Sequence, residues 1–288
     1  MKSDLNIYER DGEKDLLHFE LDRLDEYISF FNQHPGKYVV SLIDSLGCEL
    51  DNIDFISELK GVTHLSLSLY DVNYSPVYRL TGLEFLSFGE LSHPLDVSKL
   101  SNVTSLFGEW SNKLKNLHGA VNLKNLSLWK YKPKSKDLSE LMLMEQLEFL
   151  QLVQGNVSAL THIEKLLSLK KLDLHYLRNL HDVSSISNTK LQQLTIDHCS
   201  KVSDFGSIGD IATLNKLDLG KVASIPNLNF IHNMKQLSWF SFCGADLVDG
   251  QLAMALEHPK LEQLIFHDKK HYSHKYDDFK SLLNSKPH

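Results

Sequence analysis

The sequence has few of the residues that mark disulfide-bonded, zinc-binding or membrane-spanning proteins. Its 288 residues include three cysteines, Cys48, Cys199 and Cys243, and no two of them form a CxxC pair. An odd count without metal-ligand spacing argues against a disulfide scaffold and favours a reducing compartment. No apolar run approaches the roughly 18 residues that span a bilayer, and the N-terminal stretch lacks the apolar core of a secretory signal. We therefore expect a cytoplasmic protein that does not bind membranes.

Motifs of the common enzymes and cofactor sites are also missing. The chain contains no Gly-rich phosphate loop, no HExxH and no GxSxG. A net charge of −7 argues against nucleic acid as a partner. The acidity is local, because residues 1–60 hold 14 Asp and Glu against 6 Lys and Arg. We expect no cofactor, and we expect the acidic end to steer a basic partner towards it.

What the sequence does contain is a repeat. The skeleton Leu-x-x-Leu-x-Leu, as in residues 169–174, returns every 20 to 24 residues in ten frames. The frames begin at Val62, Leu83, Val103, Leu123, Leu147, Leu169, Leu191, Leu214, Leu237 and Leu261. Self-similarity at this period is typical of a solenoid, in which each unit is too small to bury its own apolar face.

The pattern inside each frame predicts a half-buried strand. Apolar residues at the fourth and sixth positions alternate with mostly polar ones, so Leu172 and Leu174 should point one way and Lys171 and Asp173 the other. The segment before each frame carries apolar residues at a three-residue step, for example Ile53, Ile56 and Leu59. That step indicates short helical or 3₁₀ turns.

This pattern resembles the leucine-rich repeat family, and it is most similar to the short bacterial and phosphatase-regulator type with repeats of about 22 residues. The resemblance implies an α/β fold, a right-handed solenoid with a concave parallel β-sheet and short helical or 3₁₀ segments on the convex side. We predict an N-terminal cap of hairpin plus helix over residues 1–38, the solenoid over 39–266 and a C-terminal cap helix over 267–288.

Aromatic residues form one candidate binding cluster on the predicted exposed face. Its members are Phe85, Phe107, Trp129 and Phe149 in successive repeats, with Trp110 and Tyr131 near the rim and Trp239 in a later repeat. Because aromatic anchors dominate interface energetics, these residues point to a partner-binding surface. The alternative is that the less regular early repeats are misregistered and some of these rings belong to the core.

Polar residues form a second candidate cluster in later repeats. Its members are Asp173, His175, Tyr176, Asp197, His198 and Asp218. Neighbouring strands lie about 4.8 Å apart, so His175 and Asp197 should be able to meet, and Asp173 and Asp218 should lie about 9 to 10 Å apart. These residues offer polar contacts to a partner, and a plain solvated surface is the alternative. A metal site or an acid–base carboxylate pair would need a pocket that an open sheet does not provide.

These observations predict a non-enzymatic module that binds another protein on its concave face and is monomeric when free. Free-standing bacterial proteins that look like this include immunity proteins that neutralise a cognate toxin, and the acidic end would suit a basic toxin or effector. One alternative is a structural or self-associating scaffold. A further alternative is a hydrolase that uses Asp173 and Asp218.

Overall fold

The computed structural model describes residues 5–44 and 50–285, so Cys48 and the two chain ends lie outside the described residues. The chain divides into two compact units, Met1–Leu128 and Trp129–His288. In both units, short parallel strands alternate with return segments that contain a 3₁₀ turn or a short helix. Each unit is therefore built as the repeat predicts.

The N-terminal unit begins with an antiparallel hairpin and continues as parallel strands. Its strands are β1 (Ile7–Tyr8), β2 (Leu16–His18), β3 (Val39–Ile43), β4 (His64–Ser68), β5 (Phe85–Phe88), β6 (Leu95–Asp96), β7 (Ser105–Glu109), β8 (Leu114–Lys115) and β9 (Asn125–Trp129), whose last residue opens the second unit. Helix α1 spans Leu24–Gln33, and 3₁₀ turns span Leu21–Arg23, Asp54–Glu58, Ser75–Arg79, Val97–Lys99 and Leu117–Gly119. Strands β2, β3, β4, β5 and β7 pair in that order, and β6 pairs with β8 in a return segment.

The C-terminal unit repeats the same design. Its strands are β10 (Phe149–Val153), β11 (Lys171–His175), β12 (Gln193–Asp197), β13 (Lys216–Leu219), β14 (Trp239–Ser241) and β15 (Gln263–Ile265), all parallel and paired in order. Helices α2 (Phe205–Gly209), α3 (Ala253–Glu257) and α4 (Tyr276–Asn284) follow β12, β14 and β15. The 3₁₀ turns span Ser139–Leu141, Ile163–Lys165, Ser184–Asn188 and Asn229–Asn233.

The core consists of the fourth and sixth positions of the frames. Leu172 pairs laterally with Leu194, which pairs with Leu217, and each is at most 1% exposed. Burying one leucine stabilises the fold by roughly 1.5–3 kcal/mol. Even the least regular frame keeps its register, since Leu106 pairs with Leu86. The predicted alternation is confirmed in both units.

The return segments supply the second wall of the core. Ile53, Ile56 and Leu59 are all buried around the 3₁₀ turn of Asp54–Glu58. A three-residue apolar step matches the three residues per turn of a 3₁₀ helix, so one side of the turn faces the leucines. This prediction from the sequence is confirmed.

A second repeated feature starts these turns. In seven return segments of the described residues, an Asp or Asn side chain accepts a hydrogen bond from the backbone N–H two residues later, at 2.9 to 3.1 Å. The acceptors are Asn52, Asn73, Asp96, Asp137, Asp182, Asn227 and Asp249. These Asx turns satisfy donors that a short helical turn otherwise leaves open. This element of the repeat is not among the features predicted from the sequence.

The two ends differ in how closely they follow prediction. The hairpin turns at Gly12, which has φ +73°, and α1 then packs Tyr27 beside Phe19 with ring centroids 5.1 Å apart. The C-terminal helix spans Tyr276–Asn284, whereas the sequence predicted a helix over 267–288. Tyr272 instead lies in a turn, where its hydroxyl accepts the N–H of Leu247 at 3.0 Å. The assignment of both ends as caps stays a prediction.

Replacement of a core leucine should lower the free energy of unfolding much more than replacement of its exposed neighbour. Leu194→Ala leaves a cavity between β11 and β13, so we expect the free energy of unfolding to fall by about 2–5 kcal/mol. Gln193→Ala, on the exposed face of the same strand, should change it by less than about 0.5 kcal/mol. Urea unfolding of both variants measures this, and equal losses would contradict the assigned faces.

The Asx turns should contribute stability that depends on pH. The Asp182 carboxylate accepts the N–H of Ser184 at 3.0 Å and its hydroxyl at 2.7 Å, and these bonds hold the pKa of Asp182 below its ordinary value. Asp182→Ala should cost about 1 kcal/mol at pH 7, as loss of a helix cap does. A lowered pKa means that this stability is present above about pH 3.9 and is lost as the pH falls through the folded-state pKa. Asp182→Asn keeps an acceptor and should cost less; thermal unfolding at pH 7 and in acid measures both.

Candidate functional site

The exposed face of the sheet carries three rows of side chains in the C-terminal unit. We call the third, fifth and seventh positions of the frames rows three, five and seven. They lie opposite the core leucines because side chains alternate along a strand. Row three contains Phe149, Lys171, Gln193, Lys216 and Trp239 in lateral register. Row five contains Gln151, Asp173, Thr195, Asp218 and Ser241.

Row three is arranged almost symmetrically about β12. The Lys171 ammonium lies 4.8 Å from the ring centroid of Phe149, and that of Lys216 lies 4.7 Å from the centroid of Trp239. Gln193 is exposed between them. A cation over an aromatic face is attracted by the ring quadrupole, which holds each lysine stem flat against its neighbour. The result is an amphipathic strip with aromatic ends and a cationic middle.

Row five places two aspartates on either side of Thr195. Asp173 is only 7% exposed, and its Oδ2 lies 3.1 Å from the Lys171 ammonium. Its Oδ1 is buried and accepts no hydrogen bond from the residues that the structure describes. Asp218 is half-buried, and that burial raises the pKa of its carboxyl, with the charge of Asp197 adding to the effect.

Row seven brings together the predicted histidine and aspartate. His175 pairs with Asp197 across the sheet, and its Nδ1 lies 3.9 Å from Oδ2 of Asp197. His198 Nδ1 approaches the same oxygen at 2.9 Å, and its ring stacks on Tyr176 at 4.2 Å between centroids. The expectation that His175 and Asp197 meet is confirmed.

Asp197 depends on the absence of a side chain at position 220. Its Oδ1 accepts the backbone N–H of Lys221 at 3.2 Å. A Cβ atom built at Gly220 would lie 2.0 Å from that oxygen. Glycine at 220 therefore leaves the space that the carboxylate fills.

The two carboxyls of Asp197 and Asp218 have opposite pKa shifts. Burial acts to raise the pKa of Asp197, but His198, the N–H of Lys221 and His175 together bring the pKa below its ordinary value. At Asp218, burial outweighs the hydrogen bond from Ser241 and the charges of Lys216 and His175, and the charge of Asp197 adds to burial, so the pKa is raised. On the same face of the sheet, the ionised form of Asp197 is thus stabilised and that of Asp218 is destabilised.

The N-terminal unit carries its own aromatic group. The ring of Phe85 stacks on His64 at 5.5 Å and meets Phe107 edge-on at 5.3 Å between centroids. Both phenylalanines are half-buried on the exposed face, in the predicted rows. Two serines precede Phe107 in row five, and the Ser87 hydroxyl donates to that of Ser66 at 2.8 Å. Burial, followed by the charge of Lys14, lowers the pKa of His64.

Trp110 is half-buried in the N-terminal unit, directly after β7. The other predicted aromatic residues belong to the C-terminal unit and are not equivalent. Trp129 is 52% exposed and Phe149 is half-buried, both on the exposed face. Tyr131 is fully buried, and burial raises the pKa of its hydroxyl. The placement of Tyr131 near a binding rim is therefore wrong, because the chain turns inward after Lys130, whose φ is +55°.

Metal ligation and enclosure are the two features that chemistry at the polar rows would need. No group of three or more His, Cys, Asp or Glu side chains in the described residues is placed to hold a metal ion. A cleft of about 300 Å³ in the C-terminal unit is lined by Gln154, Gly155, Tyr176, Arg178 and Asn179. Neither Asp173 nor Asp218 lines this cleft, so it does not join the two carboxylates in an enclosed site.

Comparison with known proteins agrees with this architecture. No family model matches the sequence, and no curated protein is similar to it. Among solved structures, an internalin (inlF) of Listeria monocytogenes is 16% identical, with 89% of this chain and 82% of that chain covered and a TM-score of 0.53. The leucine-rich repeat domain of the type III effector XCV3220 (XopL) is 20% identical, with 70% and 75% covered and a TM-score of 0.51. The chain has the leucine-rich repeat fold.

The exposed face of the strands contains more than the sequence suggested. Lys171 and Lys216 were not among the predicted site residues, although both stand two positions before an aspartate in identical Lys-Leu-Asp-Leu segments. That shared segment is the feature of the sequence from which the two lysines could have been predicted. In the described part of the chain, no helix has the length and apolar character to cross a membrane.

Opposite stability effects are expected from neutralising the two aspartates. A raised pKa means that the Asp218 charge opposes folding at pH 7, so Asp218→Asn should raise the melting temperature. A lowered pKa means that Asp197 stabilises the folded chain above about pH 3.9, so Asp197→Asn should lower the melting temperature at pH 7. The difference in melting temperature between each variant and the wild type should become smaller in acid, as measured by thermal unfolding at pH 7 and at low pH. Shifts of the same sign at pH 7 would contradict the electrostatics described.

Proposed function

We propose that this leucine-rich repeat protein is a non-enzymatic module that binds another protein on the exposed sheet face of its C-terminal unit. The observation that carries the proposal is the pattern of aromatic rings left on that face. Trp129 is 52% exposed, and Phe149 and Trp239 are half-buried beside lysine ammoniums. Large aromatic groups with polar neighbours are what the centres of protein interfaces contain.

The polar residues between the rings complement this role. Asp173, His175, Asp197 and Asp218 present charge and hydrogen-bonding groups that fix orientation more than they add affinity. Phe85 and Phe107 offer a second aromatic patch on the N-terminal unit. A protein partner would cover the aromatic strip and pair with the charged groups at the same time. A small ligand normally needs a pocket, and this face is open.

A more specific form of the proposal concerns the identity of the partner. A bacterial immunity protein that neutralises a basic toxin would fit the 14 acidic against 6 basic residues in positions 1–60. Cytoplasmic location is part of this proposal, and the unpaired thiols of Cys199 and Cys243 support it. Co-purification with a toxin encoded beside it would support this form, and a gene without such a neighbour would count against it.

The binding face can be tested with the wild-type protein as bait in its native host. We expect Trp129→Ala and Phe149→Ala each to weaken binding of the captured partner by about 2 kcal/mol, close to 30-fold. Calorimetric titration with the purified partner measures this. Tyr70→Ala is a matched control, because Tyr70 is 84% exposed but belongs to the N-terminal unit.

Two results would reject this binding face. One is unchanged affinity in both variants, with the fold verified by circular dichroism. The other is concentration-dependent self-association of the free protein that Trp129→Ala abolishes, since the ring would then serve a scaffold. Sedimentation velocity of the free protein separates that alternative from partner binding.

A further inference from the structure

Thr195 lies at the centre of a group of carboxylates. Its lateral neighbours in row five are Asp173 and Asp218, and along its own strand the next residue on the same face is Asp197. The fourth neighbour, Gln193, is exposed and uncharged. A small side chain is thus bordered by negative charge on three sides. We call this group the Thr195 site.

The spacing of the Thr195 site suits a wide cation better than a metal ion. With strands about 4.8 Å apart, Asp173 and Asp218 stand about 9.6 Å apart at the backbone. A metal ion needs oxygen ligands that converge to about 2.0–2.6 Å, and the described residues contain no such group. A guanidinium is planar, carries N–H donors on opposite edges and forms bonds of about 2.8 Å to carboxylates. It can therefore contact both walls, whereas a compact ammonium contacts one.

An independent observation indicates that one hydrogen bond is missing at this site. Asp173 is 7% exposed, and its buried Oδ1 has no hydrogen-bond partner among the described residues. A buried charged acceptor without a donor carries an uncompensated desolvation cost. Lys171 contacts only Oδ2, at 3.1 Å. A donor on a bound partner could therefore satisfy Oδ1.

Lys171 is the cation that a second cation would have to displace from the Asp173 carboxylate. Its side chain is 44% exposed, and its ammonium also lies over Phe149 at 4.8 Å. An exposed lysine held by one ion pair and one cation–π contact is only weakly fixed. It can leave the carboxylate for the ring and uncover Asp173.

We propose that the Thr195 site receives an arginine side chain of the bound protein, whose guanidinium donates to Asp173 and Asp218 while Lys171 moves aside. This inference rests on the proposed function, because the arginine belongs to the partner. Asp197 supplies a third negative charge at the open end of the site. The raised pKa of Asp218 agrees with this arrangement, because burial outweighs the hydrogen bond from Ser241 and the charges of Lys216 and His175.

The site can be tested without knowing the partner. The probe is N-acetyl-arginine methylamide, titrated into the full-length protein and followed by backbone amide shifts in NMR spectra. We expect saturable shifts centred on Thr195 and its two neighbouring strands. The citrulline counterpart, which has the same shape without the charge, should produce none, and the lysine counterpart should bind several-fold more weakly.

Single substitutions test which side chains contact the arginine probe. Asp173→Asn and Asp218→Asn should each weaken arginine binding by about tenfold, since each removes a charge-assisted bond. Lys171→Met should strengthen binding, because it removes the competing ammonium and keeps the stem over Phe149. Asp210→Asn is the matched control for net charge, since Asp210 is an exposed carboxylate just after α2 in a return segment, and it should have no effect.

The proposal is overturned if arginine and citrulline probes shift the same residues equally, or if the arginine shifts do not include Thr195. It is also overturned if neither Asp173→Asn nor Asp218→Asn changes the affinity while both variants remain folded. In those cases binding of a partner through Trp129 and Phe149 could still be observed, so the two proposals fail separately.

Discussion

Lateral register between parallel strands is the constraint on which the rest of the molecule depends. In the C-terminal unit, Leu172, Leu194 and Leu217 stand side by side and leave almost no exposed surface. A shift of one residue in any strand would turn its leucines outward and its polar side chains inward. The hydrophobic cost of that shift fixes the register. The rows on the exposed face are a consequence of it.

Fixed rows make neighbours of residues that are far apart in the chain. Lys171 meets Phe149, and Lys216 meets Trp239, because each pair lies one strand apart in the same row. Such contacts need no special fold of the backbone, only the right residue one repeat away. In a repeat protein, a single substitution on one strand therefore changes the surface next to known residues of the two adjacent repeats. The Thr195 site is likewise formed by residues from adjacent repeats.

The same geometry makes each charge on this face depend on its neighbours. Asp197 and Asp218 lie on adjacent strands, yet the pKa of the first is lowered and that of the second is raised. The difference arises because Gly220 leaves room for the Asp197 carboxylate beside the N–H of Lys221. Asp218 receives its hydrogen bond from the Ser241 side chain, and there burial dominates. Local packing, not residue type, decides which carboxylate is stabilised.

Much of the fold could be predicted from the chain, and the errors share a cause. The frames placed Phe85 and Phe107 on the exposed face even in the least regular repeats, and they placed His175 beside Asp197. They failed for Tyr131, which follows a left-handed residue and turns into the core. They also failed for the start of α4. Both failures lie outside the frames, where no periodic pattern constrains the backbone.

The sequence by itself determined the period, the strands and the face on which each side chain lies, because these follow from apolar spacing that any reader can count. Only the tertiary structure decided which polar atoms on that face have partners. Asp173 and Asp218 occupy equivalent positions in identical Lys-Leu-Asp-Leu segments. One is buried with an unpaired oxygen and the other is half-buried with a raised pKa. The difference arises because neighbouring strands, contributed by other repeats, determine burial and hydrogen bonding.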